Sequence, residues 1–243
     1  MIVTDKPDLT SISSDTLNLQ HNLPTKPQSI SLEGRFVDLV PVDVSAHAGP
    51  LFSLTNGSPI SILGRHINEY NSNDVIWKYS FDSPSSTVEE LAEVLTKRLN
   101  TDRARCFCVI EKKSKSPVGI INYLNNYPEH LKIELGGIWF SPIVQGTKAN
   151  TEAVLLLLEH AFSLGYLRVE WKCDDRNQRS KKAALRLGFK FEAIQESHMI
   201  VKGETRNTAW FRLLHSEWED VRYRLKSSLY AKDELWWESI HAV

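Results

Sequence analysis

The stretch from Gln145 to Ala153 contains residue types that could bind a phosphate group. It joins a strand-like segment, Ile133 to Phe140, to a strongly helical segment, Asn150 to Phe162, and Gly146 supplies backbone freedom at the turn. The first N–H groups of a helix have no intrahelical partner, so an anion beside them gains hydrogen bonds and the favourable end of the helix dipole. The pattern predicts a phosphate-binding loop, although an ordinary strand-to-helix connection with an Asn cap would show the same pattern of residues.

A second polar segment lies downstream, where Asn177 and Ser180 stand at the start of a helix that runs to about Leu187 and ends at Gly188. These two segments, in this order, resemble the GNAT-type N-acetyltransferases over roughly residues 32–218. The most similar branch is that of the RimJ- and RimL-like ribosomal-protein N-terminal acetyltransferases. The matching strings are Leu32-Glu33-Gly34-Arg35, Ile133-Glu134-Leu135-Gly136, Phe140-Ser141-Pro142, Thr151-Glu152-Ala153, Asn177-x-x-Ser180, Leu187-Gly188-Phe189 and Thr208-Ala209-Trp210-Phe211.

The resemblance implies acetyl-CoA as cosubstrate, with its pyrophosphate on the first loop and its pantetheine arm beside the second helix. Backbone N–H groups of the central strand would hold the thioester carbonyl. Lys148 departs from the pattern, because many members have a second glycine there, and it fits only if it avoids a left-handed conformation. The implied cofactor-binding residues are Ile138, Trp139, Phe140, Gln145, Gly146, Thr147, Lys148, Ala149, Asn150, Thr151, Asn177 and Ser180.

Acetyl transfer to an amine requires a neutral amine, a polarised thioester and a thiolate that can leave. Neutralising a protein α-amine at pH 7 costs about 1 kcal/mol, whereas neutralising a lysine costs about 5 kcal/mol. A departing thiol resembles cysteine in its pKa and needs only modest help from a hydroxyl donor. An α-amine acceptor therefore demands little from the enzyme.

Two residues are predicted to be catalytic, Ser180 and Glu134. Many GNAT enzymes use a tyrosine as the acid about one turn after Ser180, but Ala184 stands there, so Ser180 is the candidate donor to the thioester sulfur. Glu134 is the candidate base, with Asp174 and His198 as alternatives, the latter because histidine exchanges protons near neutral pH. Structural roles remain open: a helix-capping serine, a cap at Asn177, and an ion pair of Glu134 with a neighbouring strand.

Composition points to a globular protein rather than a nucleic-acid or membrane protein. The chain has 243 residues and a formal net charge of −1, and it lacks an apolar stretch of the roughly 20 residues that cross a bilayer. Its three cysteines, Cys106, Cys108 and Cys173, favour a reducing compartment, and we expect a cytoplasmic protein. Cys106 and Cys108 share a strand face but have no second ligand pair, so we expect buried residues and no metal site.

The hydrophobic periodicity predicts an α/β (α+β) domain. By resemblance it has a GNAT-like fold: a mixed, mostly antiparallel sheet of about six to seven strands, splayed in the middle and flanked by helices. Clear elements are a helix after the capping box at Thr87–Glu90 and a strand at Leu167–Cys173 with strict alternation. We expect a flexible tail at 1–30, an N-acetyltransferase domain at 31–216 and a packed helical extension at 217–243.

The predicted function is acetyl-CoA-dependent N-acetylation of a primary amine by direct attack. The acceptor remains open between a protein N-terminus, a lysine, a polyamine and a small xenobiotic amine. Two alternatives are a CoA-binding module without turnover, because of Lys148 and Ala184, and a protein-interaction module that keeps only the fold. Trp236 and Trp237 could form an apolar surface for pairing, so both a monomer and a homodimer are considered.

Overall fold

The computed structural model describes the backbone of residues 12–241 and the side chains of residues 12–230. Trp236 and Trp237 therefore lie outside the described side chains. The described α-helices are α1 (Ser14–Asn22), α2 (Val44–Ser53), α3 (Val88–Leu99), α4 (Lys148–Ser163), α5 (Gln178–Arg186) and α6 (His215–His241). The strands are β1 (Leu32–Glu33), β2 (Val37–Pro41), β3 (Ile60–Ile62), β4 (Arg65–Ile67), β5 (Arg105–Glu111), β6 (Ser116–Tyr127), β7 (Lys132–Phe140), β8 (Arg168–Asp174), β9 (Lys190–Val201) and β10 (Glu204–Leu214).

Eight of these strands form one sheet, in the order β1-β2-β5-β6-β7-β8-β10-β9, and β3 pairs with β4 in a separate hairpin. Only β7 and β8 pair in parallel within the main sheet, through a crossover that contains α4. The expected mixed, mostly antiparallel sheet is thus confirmed. It has one more strand than expected, because β1 is only two residues long and leaves no periodic pattern in the sequence.

The sheet is splayed between β7 and β8. Their parallel pairing runs from Lys132, opposite Arg168, to Leu135, opposite Trp171, and goes no further. β7 nevertheless continues to Phe140 and β8 to Asp174. The backbone groups on these facing edges are therefore left without strand partners, and the expected splay in the middle of the sheet is confirmed.

A β-bulge in β7 accompanies the splay. Ile120 pairs with Trp139 but Asn122 pairs with Gly136, so two residues of β7 oppose one of β6. Gly137 has a φ of +58°, which favours glycine, and a Cβ there would approach Asn122 Nδ2 to 2.7 Å. The Asn122 side chain donates to the carbonyls of Gly136 and Gly137 at 3.0 Å each, which holds the bulge in shape.

Helices cover the two faces of the sheet unequally. Alternate residues of β5 enter two hydrophobic clusters: Phe107 and Val109 join α4, α5 and α6, whereas Cys106 and Cys108 join α2 and α3. Cys106 and Cys108 are buried, as expected, and the three cysteines form no disulfide with one another. On the second face, α2 and α3 contact β6 and β5 respectively. On this face the cavity described below opens beside β7, β8 and β10.

Glu152 explains why the two matching strings at 32–35 and 151–153 occur together. It is fully buried in α4 and accepts hydrogen bonds from the backbone N–H groups of Arg35, Phe36 and Val37 and from the Tyr230 hydroxyl. One carboxylate therefore ties the turn before β2 to α4 and α6. This connection positions the start of α4, from which the candidate loop projects.

The N-terminal segment contains α1, which contacts the rest of the chain. Gln20 donates to the Glu129 carbonyl at 2.9 Å, and Asn126 donates to the carbonyls of Pro24 and Thr25. At the other end α6 begins at His215 and packs on α4, where Trp218 stacks on Phe162. The division into a flexible tail at 1–30, a domain at 31–216 and an extension at 217–243 stays a prediction.

Candidate active site

A cavity of about 1140 Å³ opens where β7 and β8 separate. It brings together nine of the thirteen site residues that the sequence predicted, namely Glu134, Ile138, Trp139, Phe140, Gln145, Gly146, Asn150, Asn177 and Ser180. The other four do not line it: Thr147, Lys148, Ala149 and Thr151 lie behind the loop or within the first turn of α4.

The loop before α4 has the geometry of an exposed helix start. Gly146 has a φ of +73°, and Thr147, rather than Asn150, caps the helix by accepting from Ala149 N at 3.2 Å. The helix therefore begins at Lys148, two residues before the sequence-based boundary. The N–H groups of its first three residues lack i−4 partners, and only one of them is used by the cap.

Lys148 is compatible with this loop because it is already helical and does not occur among the residues with positive φ. Its side chain turns away from the cavity. The ammonium lies 4.7 Å from the centre of the Phe36 ring and donates to the Leu229 carbonyl. The departure from the family's second glycine therefore leaves the backbone donors of the loop unobstructed.

Two polar side chains of the loop have different environments. Gln145 donates to the Phe140 carbonyl at 3.0 Å and thus braces the turn between β7 and α4. The Oδ1 atom of Asn150 is buried at the cavity wall and has no hydrogen-bond partner among the described residues. A buried acceptor of this kind is costly unless a ligand donates to it.

Ser180 lies at the cavity wall with its hydroxyl oriented by a neighbour. Trp171 Nε1 donates to Ser180 Oγ at 3.0 Å, and the hydroxyl also lies within hydrogen-bonding reach of the Cys173 thiol. Asn177 is the helix cap, because its Oδ1 accepts from Ser180 N at 3.1 Å. Burial raises the pKa of the adjacent Cys173 thiol. The position of the family's tyrosine, Ala184, is fully buried and faces away from the cavity, where Ala183 lies instead.

Glu134 forms the ion pair that the sequence left open. Lys172 on β8 lies 2.8 Å from its Oε2, and Asn125 donates to the same oxygen at 2.7 Å. Lys172 also pairs with Glu170 at 3.0 Å and lies 3.9 Å from the centre of the Trp210 ring. Glu134 lines the cavity whereas Glu170 does not, so only the first could reach a bound amine.

The two alternative bases differ in access. Asp174 is not among the residues that line the cavity. Burial disfavours its charged form, but hydrogen bonds from the Arg176 side chain and backbone outweigh this and lower its pKa. His198 lines the cavity, and its Nδ1 lies 3.0 Å from Thr208 Oγ1. A register shift between β9 and β10, with Ser197 at a φ of +47°, directs His198 to this side.

Arg206 and Trp210 on β10 line the same cavity and were not identified from the sequence. Arg206 is only 5% exposed, and neither its Nε nor Trp210 Nε1 has a hydrogen-bond partner in the described chain. Burial lowers the pKa of Arg206, an effect that Asp174 opposes from a distance. Lysines, arginines and tryptophans on a hairpin carry no distinctive spacing, so only the tertiary structure reveals this cluster.

Comparison with known proteins identifies the family. The sequence model of the family described as "Acetyltransferase (GNAT) domain" matches residues 64–190. A solved GCN5-related N-acetyltransferase from Brucella melitensis is 33% identical, with a TM-score of 0.76, and the match covers 86% of this chain and 89% of that one. Spermidine N(1)-acetyltransferase of Escherichia coli K12 is 24% identical over 144 residues, which is 59% of this chain and 76% of that protein.

The fold extends to the branch that the sequence suggested. RimL, a ribosomal L7/L12 alpha-N-protein acetyltransferase solved with coenzyme A, has a TM-score of 0.59, and the match covers 76% of this chain and 98% of RimL. At 16% identity this likeness concerns the fold alone. No helix in the described part of the chain is both long and apolar enough to cross a membrane. With the family description matching more than half of its residues, the chain belongs to the GNAT acetyltransferases and is an acyltransferase enzyme.

Proposed function

We propose that the enzyme transfers an acetyl group from acetyl-CoA to a primary amine by direct attack within the cleft between β7 and β8. The observation that carries the proposal is the end of β7–β8 pairing at Leu135, beside the uncovered start of α4. An open strand edge and a helix N-terminus thus present backbone N–H donors to one cavity. Members of the family use acetyl-CoA, which requires donors of both kinds.

The residues present fit this cosubstrate. The N–H groups at Gly146 and the first turn of α4 would hold its pyrophosphate, and the bulged segment Gly137 to Phe140 would hold the thioester carbonyl. The unpartnered Asn150 Oδ1 would accept from an amide N–H of the pantetheine arm. Acetyl-CoA supplies the activated acetyl group, and these residues bind and orient it.

The chain also has groups suited to the proton transfers. Ser180, with its oxygen engaged by Trp171, would direct its hydrogen to the thioester sulfur and assist the departing thiolate. Glu134 would accept a proton from the amine, with Lys172 holding the carboxylate in place. His198 is the second candidate, because its Nε2 has no partner among the described residues.

Among acceptors we favour an α-amine. Its ordinary pKa lies about two to three units below that of lysine, so a single carboxylate or solvent suffices as the base. The name of RimL specifies a protein α-amine, and that of the E. coli relative specifies a polyamine. The buried free thiols accord with a cytoplasmic enzyme, which we propose to act as a monomer or homodimer without nucleic acid or membrane.

Two measurements test the proposal. Calorimetric titration should show one acetyl-CoA bound per chain, and incubation with an amine panel should release CoA thiol in step with acetylated product. The panel should contain a peptide with a free N-terminus, the same peptide with only a lysine amine, and spermidine. Binding without transfer to any amine would contradict the proposed activity, and absence of binding would contradict the assigned cofactor site.

A further inference from the structure

The cavity contains a buried guanidinium that the chain itself leaves without an anionic partner. Arg206 is 5% exposed, yet no carboxylate of the described residues lies within 4 Å of it. Asp174, on the neighbouring strand, has both oxygens engaged by Arg176 instead. Instead, the guanidinium lies over the Phe81 ring, whose centre is 4.9 Å away. An unpaired buried charge costs several kcal/mol, so such an arrangement indicates a ligand.

A second donor faces the same space. Trp210 Nε1 is buried and has no acceptor within the described chain, and the Trp210 ring lies on β10 four residues after Arg206. Both groups donate only, and an indole N–H together with a guanidinium fork matches the oxygens of a carboxylate. Thr208 lies between them along the same strand, but its Oγ1 is hydrogen-bonded to His198 Nδ1 at 3.0 Å and accepts from neither donor.

The charge of the cavity wall also favours an anionic group on the ligand. Five cationic side chains line it against three carboxylates, and each of these carboxylates already has a cationic partner. The pairs are Asp82 with Arg98, Glu129 with Arg103, and Glu134 with Lys172. A polycation such as spermidine would therefore meet an excess of like charge without an unpaired carboxylate to receive it.

We propose that Arg206 and Trp210 bind a carboxylate of the acceptor, so that the enzyme acetylates amines that carry a carboxylate in preference to polyamines. The inference rests on the proposed acetyl transfer and specifies its acceptor. The acceptor amine would face Glu134 and Ser180, while its carboxylate fills the donor cluster on β10. Two oxygens would then satisfy both orphaned donors and compensate the desolvated cation.

The test compares acceptors that differ only at the carboxylate. One pair is 4-aminobutyrate and 4-aminobutanamide, and another is a peptide with Glu or Gln as its second residue; spermidine is the polycation. For the wild type we expect kcat/KM to be about tenfold or more higher for the carboxylate member of at least one pair, as for loss of a charged hydrogen bond. Equal kcat/KM within both pairs, or a preference for spermidine, would overturn the proposal.

Variants assign the preference to these two residues. Arg206→Gln should reduce the carboxylate-to-amide ratio of kcat/KM to near one, and Trp210→Phe, which removes only the N–H, should reduce it partially. Arg222→Gln, on α6 and paired with Glu159, is the control and should keep the wild-type ratio. If Arg206→Gln fails to fold, the ratio measured for Trp210→Phe decides: a reduced ratio supports the proposal, and an unchanged ratio contradicts it. If either variant instead weakens acetyl-CoA binding and leaves the ratio intact, the cluster contacts the cosubstrate and the proposal is wrong.

A binding measurement separates this proposal from the proposed activity. The two acceptor pairs are titrated into the enzyme with CoA present, where no transfer is possible. Tighter binding of the carboxylate members that is lost in Arg206→Gln would support the acceptor site even without turnover. Acetyl transfer with no such difference in binding or in kcat/KM would leave the activity standing and exclude the carboxylate site.

Discussion

At the scale of single residues, the environment of Ser180 distinguishes a donor from a cap. The cap of α5 is Asn177, and Ser180 Oγ accepts from Trp171 Nε1, so the cap does not use the Ser180 hydroxyl hydrogen, which can turn from the Cys173 thiol to the thioester sulfur. A leaving thiol needs only modest assistance. The hydroxyl should therefore contribute to the rate rather than to cofactor affinity.

Ser180→Ala is expected to lower kcat about ten- to a hundredfold, or about 1.4 to 2.7 kcal/mol, with acetyl-CoA affinity nearly unchanged. Steady-state kinetics and calorimetric titration together measure this. Ser163→Ala, an exposed serine at the end of α4, serves as control. A Ser180→Ala enzyme with normal kcat and weakened acetyl-CoA binding would make Ser180 a binding residue.

Glu134 and Glu170 form a matched pair for testing the base. Both contact Lys172, at 2.8 and 3.0 Å, but only Glu134 lines the cavity. Glu134→Gln should therefore reduce kcat/KM more for a lysine-type acceptor than for an α-amine, because the former needs about 3 to 4 kcal/mol more to deprotonate. Glu170→Gln should affect both acceptors equally.

The comparison is made from about pH 6 to 9, a range that brackets the α-amine pKa. Unchanged pH profiles with equal losses in Glu134→Gln and Glu170→Gln would show that the pair only positions Lys172. The proton would then pass to solvent or to His198, which lines the cavity.

Residue types and spacing were sufficient to find Ser180, Asn177 and Glu134, because each stands within a string shared with the family. Trp210 also stands within such a string, Thr208 to Phe211, but neither the string nor the spacing indicates a role for Trp210 Nε1 or for the Arg206 guanidinium. Both residues were identified because their donor groups, Arg206 Nε and Trp210 Nε1, have no hydrogen-bond partner among the described residues. Whether a donor lacks a partner depends on the tertiary structure: Asp174, on the neighbouring strand, is already paired with Arg176.

At the scale of elements, the proposed binding of acetyl-CoA depends on the junction of β7 and α4. Gly146→Glu should abolish acetyl-CoA binding, because Gly146 needs a φ of +73° and a carboxylate there would repel the pyrophosphate. Gly203→Glu is a matched control: that glycine has a φ of +80°, and like Gly146 it has no atom within 4 Å of the Cβ position. Calorimetry of both folded variants is decisive, and native affinity in Gly146→Glu would disprove the loop assignment.

The start of α6 depends on one carboxylate. Burial disfavours the charged form of Glu217, but Lys190, Arg212 and the Leu214 N–H outweigh it and lower its pKa to about 2, against an ordinary 4.5. A depressed pKa means that this stabilisation is present above about pH 4.5 and is lost as the pH falls towards 2.

Glu217→Gln should therefore lower the free energy of unfolding at pH 7 by about 2 kcal/mol and flatten its decline between pH 4.5 and 2. Denaturant titrations over this pH range measure both effects. Glu219→Gln, a glutamate that is 78% exposed in its side chain, should change neither. Parallel curves for the wild type and Glu217→Gln would show that the carboxylate is not linked to folding.

Periodicity located the long elements well, as for β8, whose alternation runs from Arg168 to Asp174, and for α3 with its capping box. It could not locate the place where β7 leaves β8, because unpaired strand residues keep the same alternation as paired ones. The sequence placed the start of α4 at Asn150, but the helix begins at Lys148 because Thr147, and not the asparagine, supplies the cap.

At the scale of the whole molecule, the proposed transfer requires the two sides of the cleft to work together. α4 and the end of β7 would hold the cosubstrate, whereas β8, β9 and β10 would present Lys172, His198 and Arg206 to the acceptor. Because α2 and α3 contact mainly β6 and β5 on this face, and the cavity opens beside them, the acceptor has an open approach. Neither half could be assigned from its own segment of sequence.

A stoichiometric transfer measurement on the purified chain tests the proposed acetyl transfer most directly. Released CoA thiol and acetylated acceptor are quantified together, with and without an α-amine acceptor, for the wild type and for Gly146→Glu. We expect one acetylated amine for each CoA released, release that depends on the acceptor, and no transfer by Gly146→Glu. Release of CoA without an acetylated amine, or undiminished transfer by Gly146→Glu, would contradict the proposed transfer.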